Sequence, residues 1–182
     1  GGNPHLEMFK SGNDPLVHFY DRKVLEIVNK YQNNYNVNIL LTLQSGIGLT
    51  QIIKETLSYS PKSWFWWIRL HPGMLSQHKE IANTINQLMD GNYSLNDATN
   101  LPLYSILRHM DVHFTAYSST VIEAEAFGVP SVVCSSSALS FFEEQLQSEH
   151  ALLAQTSREA IISIQKQIIR KNHIPHKIET TN

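Results

Sequence analysis

The stretch His113–Cys134, HFTAYSSTVIEAEAFGVPSVVC, decides the fold. Val112 to Ala116 is a short β-prone run, and Tyr117, Ser118 and Ser119 place hydroxyls where the chain changes direction. Thr120 to Phe127 holds good helix formers, and Gly128 stands where a helix end favours a residue free to adopt positive φ. Pro130 blocks continuation before Ser131 to Cys134 resumes an extended apolar run. The unit therefore predicts strand, polar turn, helix and strand. Its helix is expected to leave its first backbone N–H groups unpaired toward the turn Ser118–Thr120, so an anion such as phosphate is the natural guest.

Outward from this unit, strands and helices alternate. Pro15 to Tyr31 carries Leu16, Phe19, Tyr20, Val24, Ile27 and Val28 at helical spacing after an Asp-Pro start signal. Residues 3–14 read as an irregular lead-in with a small apolar patch. Val37 to Leu43 is a continuous Leu and β-branched run, as in a strand covered on both faces. A turn at Gln44–Gly48 and a helix from Thr50 to Ser58 follow. Gly46 and Gly48 begin a G-x-G dinucleotide fingerprint, but Gln51 stands where its third glycine belongs. Two readings of Gly46 stay open, a tight turn or a close backbone approach to phosphate.

Trp64 to Leu70 reads as a second strand whose four consecutive aromatics suit core packing better than a stacking platform. It runs into Arg69-Leu70-His71-Pro72-Gly73, a ligand position by topology. Beyond it are expected a helix Gln77–Met89, a short strand Tyr93–Leu95, a loop Asn96–Leu101 and a helix Leu103–Met110. After the central unit come a serine-rich turn Ser135–Ala138, a short helix Phe141–Gln147 and a strand Ala151–Ala154. A last helix runs to about Arg170, capped by Ser157. The alternation argues for an α/β doubly wound parallel sheet. Residues 1–36 are expected to form a lead-in and a helix packed on the domain, and residues 37–182 the ligand-binding domain.

Composition narrows the function. The chain has 182 residues, 42% of them hydrophobic, enough for one core. A net charge of -2 without a basic cluster gives no footprint for nucleic acid or an anionic membrane. No apolar run approaches the roughly 20 residues of a membrane span, and no secretory signal is visible. Lone Cys134, expected as a buried inert thiol, fits a reducing, cytoplasmic setting. The nine histidines show no metal-ligand spacing, so no metal is expected. Ala116 and Thr120 stand where a G-x-S-x-G hydrolase elbow needs glycines. Gly1-Gly2-Asn3-Pro4, without a start methionine, suggests a fragment of a longer protein.

The stretches Ile68-Arg69-Leu70-His71-Pro72-Gly73 and Ser118-Ser119-Thr120-Val121-Ile122-Glu123-Ala124, with Gly128 and Pro130, resemble the C-terminal, donor-binding half of GT-B glycosyltransferases. The likeness is to bacterial sialyltransferases, polysialyltransferases and related capsule polysaccharide transferases, with their His-Pro and Ser-Ser/Thr motifs. It spans about Val37 to Ala154. The resemblance implies a Rossmann-like domain that binds a nucleotide-sugar donor, CMP-linked in preference to UDP-linked, and no further cofactor. His71 with Pro72, Ser118, Ser119 and Thr120 would meet the phosphate, and Glu123, five residues before Gly128, the ribose hydroxyls. The resemblance also implies that the glycan acceptor and an acidic general base belong to a separate N-terminal domain. Among these residues only His71 is left open to a catalytic role.

Each assignment has a structural counterpart. Glu123 and Glu125 lie about 200° apart around a helix, so one facing the ligand leaves the other solvated, and Glu125 is taken as solvated. Glu123 could instead be a surface residue, and His71 a loop cap beside Pro72. His113, inside a strand, reads as a packed core histidine. Two other functions fit the same residues: half of a non-hydrolysing UDP-sugar 2-epimerase-like isomerase, or a non-catalytic nucleotide-binding module.

Overall fold

A computed structural model describes residues 15–31 and 33–173. The expected lead-in at residues 3–14 lies outside them. Helix α1 (Pro15–Tyr31) is followed by β1 (Val37–Thr42), α2 (Gln51–Tyr59) and β2 (Trp64–Arg69). A 3-10 turn (Pro72–Gln77) then leads into α3 (His78–Leu88), β3 (Tyr93–Ser94), α4 (Asn96–Asn100) and α5 (Leu103–Leu107). The central unit supplies β4 (Val112–Thr115), α6 (Thr120–Ala126) and β5 (Ser131–Val133). The remainder is α7 (Ala138–Phe141), α8 (Glu143–Gln147), β6 (Ala151–Leu153) and α9 (Ser157–His173).

The strands form one open sheet in the order β3-β2-β1-β4-β5-β6, every pairing parallel. This is the doubly wound Rossmann-like sheet expected from the alternation. The chain leaves β1 toward β2 on one side and returns to β4 on the other, so the winding reverses between β1 and β4. A crevice opens at such a reversal, outside the carboxyl ends of the strands.

Side chains alternate across the sheet with period two, and both faces are dry. Ile39, Leu41, Trp64, Trp66 and Ile68 pack with Ile53 of α2, Ile85 of α3 and Ile164 of α9. Leu40, Phe65 and Trp67 pack the opposite face with Val24 of α1, Ile106 of α5 and Ala124 of α6. The aromatic run of β2 is thus core on both sides, Trp66 and Trp67 being 0% exposed. Their indole N–H groups find Ser60 Oγ at 3.1 Å and Asn38 Oδ1 at 3.0 Å, so neither is buried without a partner. Cys134 is buried, which pushes its thiol up to about 12 and keeps it un-ionised.

Several elements depart from the sequence expectation. Asn96–Leu101, expected as a loop, contains α4, which is tied to β2 by Leu70 N–H donating to Thr99 Oγ1 at 3.2 Å and by Arg69. The expected start of α3 at Gln77 is one residue early, because Pro72–Gln77 forms the 3-10 turn. Helix α5 stops at Leu107 rather than Met110. The expected helix Phe141–Gln147 is two short helices, the first of them taking Ala138 from the serine-rich turn. The cap of α9 is Thr156, not Ser157: Thr156 Oγ1 accepts from Glu159 N–H at 3.1 Å, while Glu159 Oε2 accepts from Gln155 N–H at 2.7 Å. On α1, Val17 is buried and Phe19 is 52% exposed, with the Lys23 ammonium over its ring. The helix packs through the 17-20-24-27 stripe, which leaves Phe19 on its flank.

Candidate functional site

Four segments meet at the winding reversal and enclose an open cleft of about 250 Å³. Thr42 and Leu43 come from the end of β1, and Arg69 to Pro72 from the end of β2. Ser118, Ser119 and Thr120 come from the turn after β4, with Glu123 from α6 and Leu103 from α5 completing the wall. Residues more than 70 positions apart in sequence therefore share one cavity, as parallel pairing of β2, β1 and β4 requires.

The turn after β4 is held from both sides. Gln44 Oε1 accepts from Tyr117 N–H at 2.7 Å, clamping the turn to the loop after β1. Thr115 Oγ1 donates to Thr42 O at 2.9 Å, and Ser118 N–H points back to Thr115 Oγ1 at 3.4 Å. Ser118 Oγ accepts from Thr120 N–H at 3.2 Å and donates to Thr120 Oγ1 at 3.0 Å. Val121 and Ile122 N–H groups donate to the carbonyls of Ser118 and Ser119. The expectation of several unpaired N–H groups is thereby corrected. Ser119 already has helical φ and ψ, so a tight i to i+3 start absorbs the donors, and Ser119 N–H alone in this turn lacks an acceptor among the described residues. What the turn offers a ligand is the exposed Ser119, with its hydroxyl and N–H, and the Ser118 and Thr120 hydroxyls.

Glu123 lies one turn along α6 on the side of Thr120 and is half-buried against the cleft, whereas Glu125 is exposed and accepts from Gln145 Nε2 at 2.9 Å. Burial raises the carboxyl of Glu123 above its ordinary range, and the nearby positive charge of Arg69 opposes that shift. Gly128 ends the unit at φ 69°, the positive φ expected of it.

His71 opens the 3-10 turn. Its Nδ1 accepts from Gly73 N–H at 3.0 Å, so the loop-capping role is present. A ring nitrogen that accepts from an amide carries no proton, which places the imidazole proton on Nε2, free to donate. A Cβ on Gly73 would be crowded, lying 3.1 Å from Ser45 Oγ and 3.2 Å from His71 Nδ1, so both side chains would have to shift by a few tenths of an ångström to admit it. Gly46 is not brought to the cleft: its φ of 84° serves the turn that follows β1, where nothing lies within 4 Å of a Cβ placed on it.

Two features escaped the sequence reading. Arg69, quoted within the stretch Arg69–Gly73 but given no role of its own, supplies the positive charge, and Gln44 is the clamp. Beneath the cleft, buried His113 bridges Thr42 Oγ1 (2.8 Å) and Ser131 Oγ (3.0 Å), confirming a hydrogen-bonded core histidine. No cluster of His, Cys, Asp or Glu able to hold a metal occurs among the described residues, and no helix among them is long and apolar enough to cross a membrane.

Solved structures of similar fold include glycosyltransferases and a CMP-Kdo binding domain. The C-terminal CMP-Kdo binding domain of WaaA from Acinetobacter baumannii superposes with a TM-score of 0.58 over 85% of this chain and 97% of that domain, at 12% identity. The chain shares the fold of one half of a GT-B glycosyltransferase. The glycotransferase of kitacinnamycin matches 75% of the chain at TM-score 0.53 and 18% identity, and CalG4, the calicheamicin glycosyltransferase, 76% at 0.50 and 15%. The chain spans about a third of those two enzymes, 36% and 34% of their lengths. No family model and no curated protein matches the sequence.

Proposed function

We propose that this chain is the donor-binding domain of a glycosyltransferase and that the cleft between β1, β2 and β4 holds the nucleotide of a nucleotide-sugar, CMP-linked in preference to UDP-linked. The observation that carries the proposal is the convergence in one cleft of His71, Ser118, Ser119, Thr120 and Glu123, which were singled out from two distant motifs. A CMP-sugar is favoured because the neighbour that the chain covers almost end to end is a CMP-Kdo binding domain. A role in surface polysaccharide or capsule synthesis rests on the motif resemblance to capsule-building transferases.

In this reading the phosphate accepts hydrogen bonds from Ser119 N–H, the serine and threonine hydroxyls and His71 Nε2–H, while Glu123 accepts from the ribose hydroxyls. During transfer the bond from the anomeric carbon to the phosphate oxygen breaks, and its electron pair leaves with the nucleotide. Donors fixed around that oxygen stabilise the developing charge. The acceptor hydroxyl forms the new bond and loses its proton to a base. We assign that base and the acceptor to a separate domain, because Glu123 is engaged with the ribose and His71 with the phosphate.

Calorimetric titration with cytidine 5′-monophosphate tests the assignment. Glu123→Ala is expected to weaken binding by roughly 1 to 3 kcal/mol, the cost of losing hydrogen bonds to a charged group, while Glu125→Ala changes little. Equal effects of the two substitutions contradict it.

A further inference from the structure

Arg69 ends β2, in register with Thr42 of β1, and its guanidinium is braced from behind. Nη1 donates to Ala98 O at 2.9 Å and to Leu101 O at 2.5 Å, the carbonyls at the close of α4. A helix C-terminus draws a cation, so α4 fixes the guanidinium where a flexible side chain would otherwise roam. Its other N–H groups have no partner among the described residues, and none of them is shut away from solvent. Arg69 lines the cleft and is the one permanent cation among the lining residues, as Glu123 is the one carboxylate. The two are close enough to influence each other's protonation, yet no ion pair joins them. A half-buried cation and a half-buried carboxylate that face one cavity without neutralising each other are unfinished recognition groups.

We propose that Arg69 binds an anionic oxygen of the ligand, and that Arg69 and Glu123 together select molecules that carry an anion and free hydroxyls at once. This rests on the nucleotide reading above and deepens it. The anionic oxygen is a phosphate, or equally in its chemistry the carboxylate of an acidic sugar. A planar guanidinium meets either group with paired N–H donors.

The test is titration calorimetry of wild type, Arg69→Gln and Arg69→Lys with four probes: cytidine 5′-monophosphate, cytidine, inorganic pyrophosphate and a free sialic acid. Arg69→Gln is expected to lower affinity for the monophosphate and for pyrophosphate by about tenfold or more, and to leave cytidine within about twofold. Arg69→Lys should retain part of the preference for the monophosphate, because the charge survives while the brace to α4 is lost. A loss confined to sialic acid supports the proposal with the carboxylate as the source of the anion. Unchanged binding of all three anions in Arg69→Gln overturns it, as does an equal loss on cytidine and the monophosphate. Arg69-dependent binding of pyrophosphate, with no gain for the monophosphate, supports Arg69 and overturns the nucleotide reading. Absence of binding by the wild-type chain to every probe overturns both. If Arg69→Gln does not fold, the Arg69 Nε–H resonance of the wild type decides: it should shift on adding an anionic probe and not on adding cytidine, and indifference to every anion overturns the proposal.

Discussion

His113 sits fully buried between two hydroxyls, and burial, aided by nearby His150, pushes its imidazole down to about 3. The unfolded chain therefore takes up this proton first. Stability from the neutral ring is complete above the ordinary histidine value of about 6.5 and is lost as pH falls toward 3, with a slope of at most about 1.4 kcal/mol per pH unit. His113→Gln should flatten that limb when urea unfolding is measured between pH 6 and 4, whatever its effect at pH 7. Parallel limbs would show that other groups control the acid response. Its place inside a strand made His113 legible as a core residue. The cleft placement of His71 and Glu123 was legible too, because each occupies a fixed offset from a strand end or a helix end. Arg69 was not, since the carbonyls that brace it lie 29 and 32 residues further along the chain and no local pattern announces them.

Strand β2 was readable because a strand covered on both faces needs an unbroken apolar run, and Trp64 to Ile68, WFWWI, is one. Helix α4 was not, because Asn96-Asp97-Ala98-Thr99-Asn100 is a poor helix former held in place by Leu70 N–H and Arg69 rather than by propensity. The short helices α7 and α8 were blurred into one for a related reason: a single break at Phe142 leaves little periodicity to count. Weight in the fold therefore rests on β2. Trp66 is 0% exposed, stacks edgewise on Phe114 at 6.1 Å and bonds Ser60. Trp66→Ala should cost about 3 to 5 kcal/mol in chemical unfolding, the range for deleting a large buried aromatic. A loss under about 1 kcal/mol would mean that β2 is not the packing centre of the sheet.

Across the whole molecule, the winding reversal between β1 and β4 turns two distant sequence motifs into one cavity. The doubly wound sheet was predictable from the alternation of elements, and with it the end of the sheet where a ligand binds. Which residues would face one another there depended on strand order and register, which the alternation leaves open. A second hollow of about 340 Å³, lined by Ile27, Tyr31, Phe65, His78 and Tyr93, lies beside edge strand β3, away from the carboxyl ends of β1 and β4. It is the larger of the two, but none of the motif residues lines it. The most direct test of a nucleotide-binding cleft is to titrate the ¹⁵N-labelled chain with cytidine 5′-monophosphate and follow amide shifts residue by residue. The account predicts that the largest shifts fall on Thr42, Arg69, His71 and Ser118 to Glu123; shifts gathered instead around Tyr31, His78 and Tyr93, or no saturable shift at all, would contradict it.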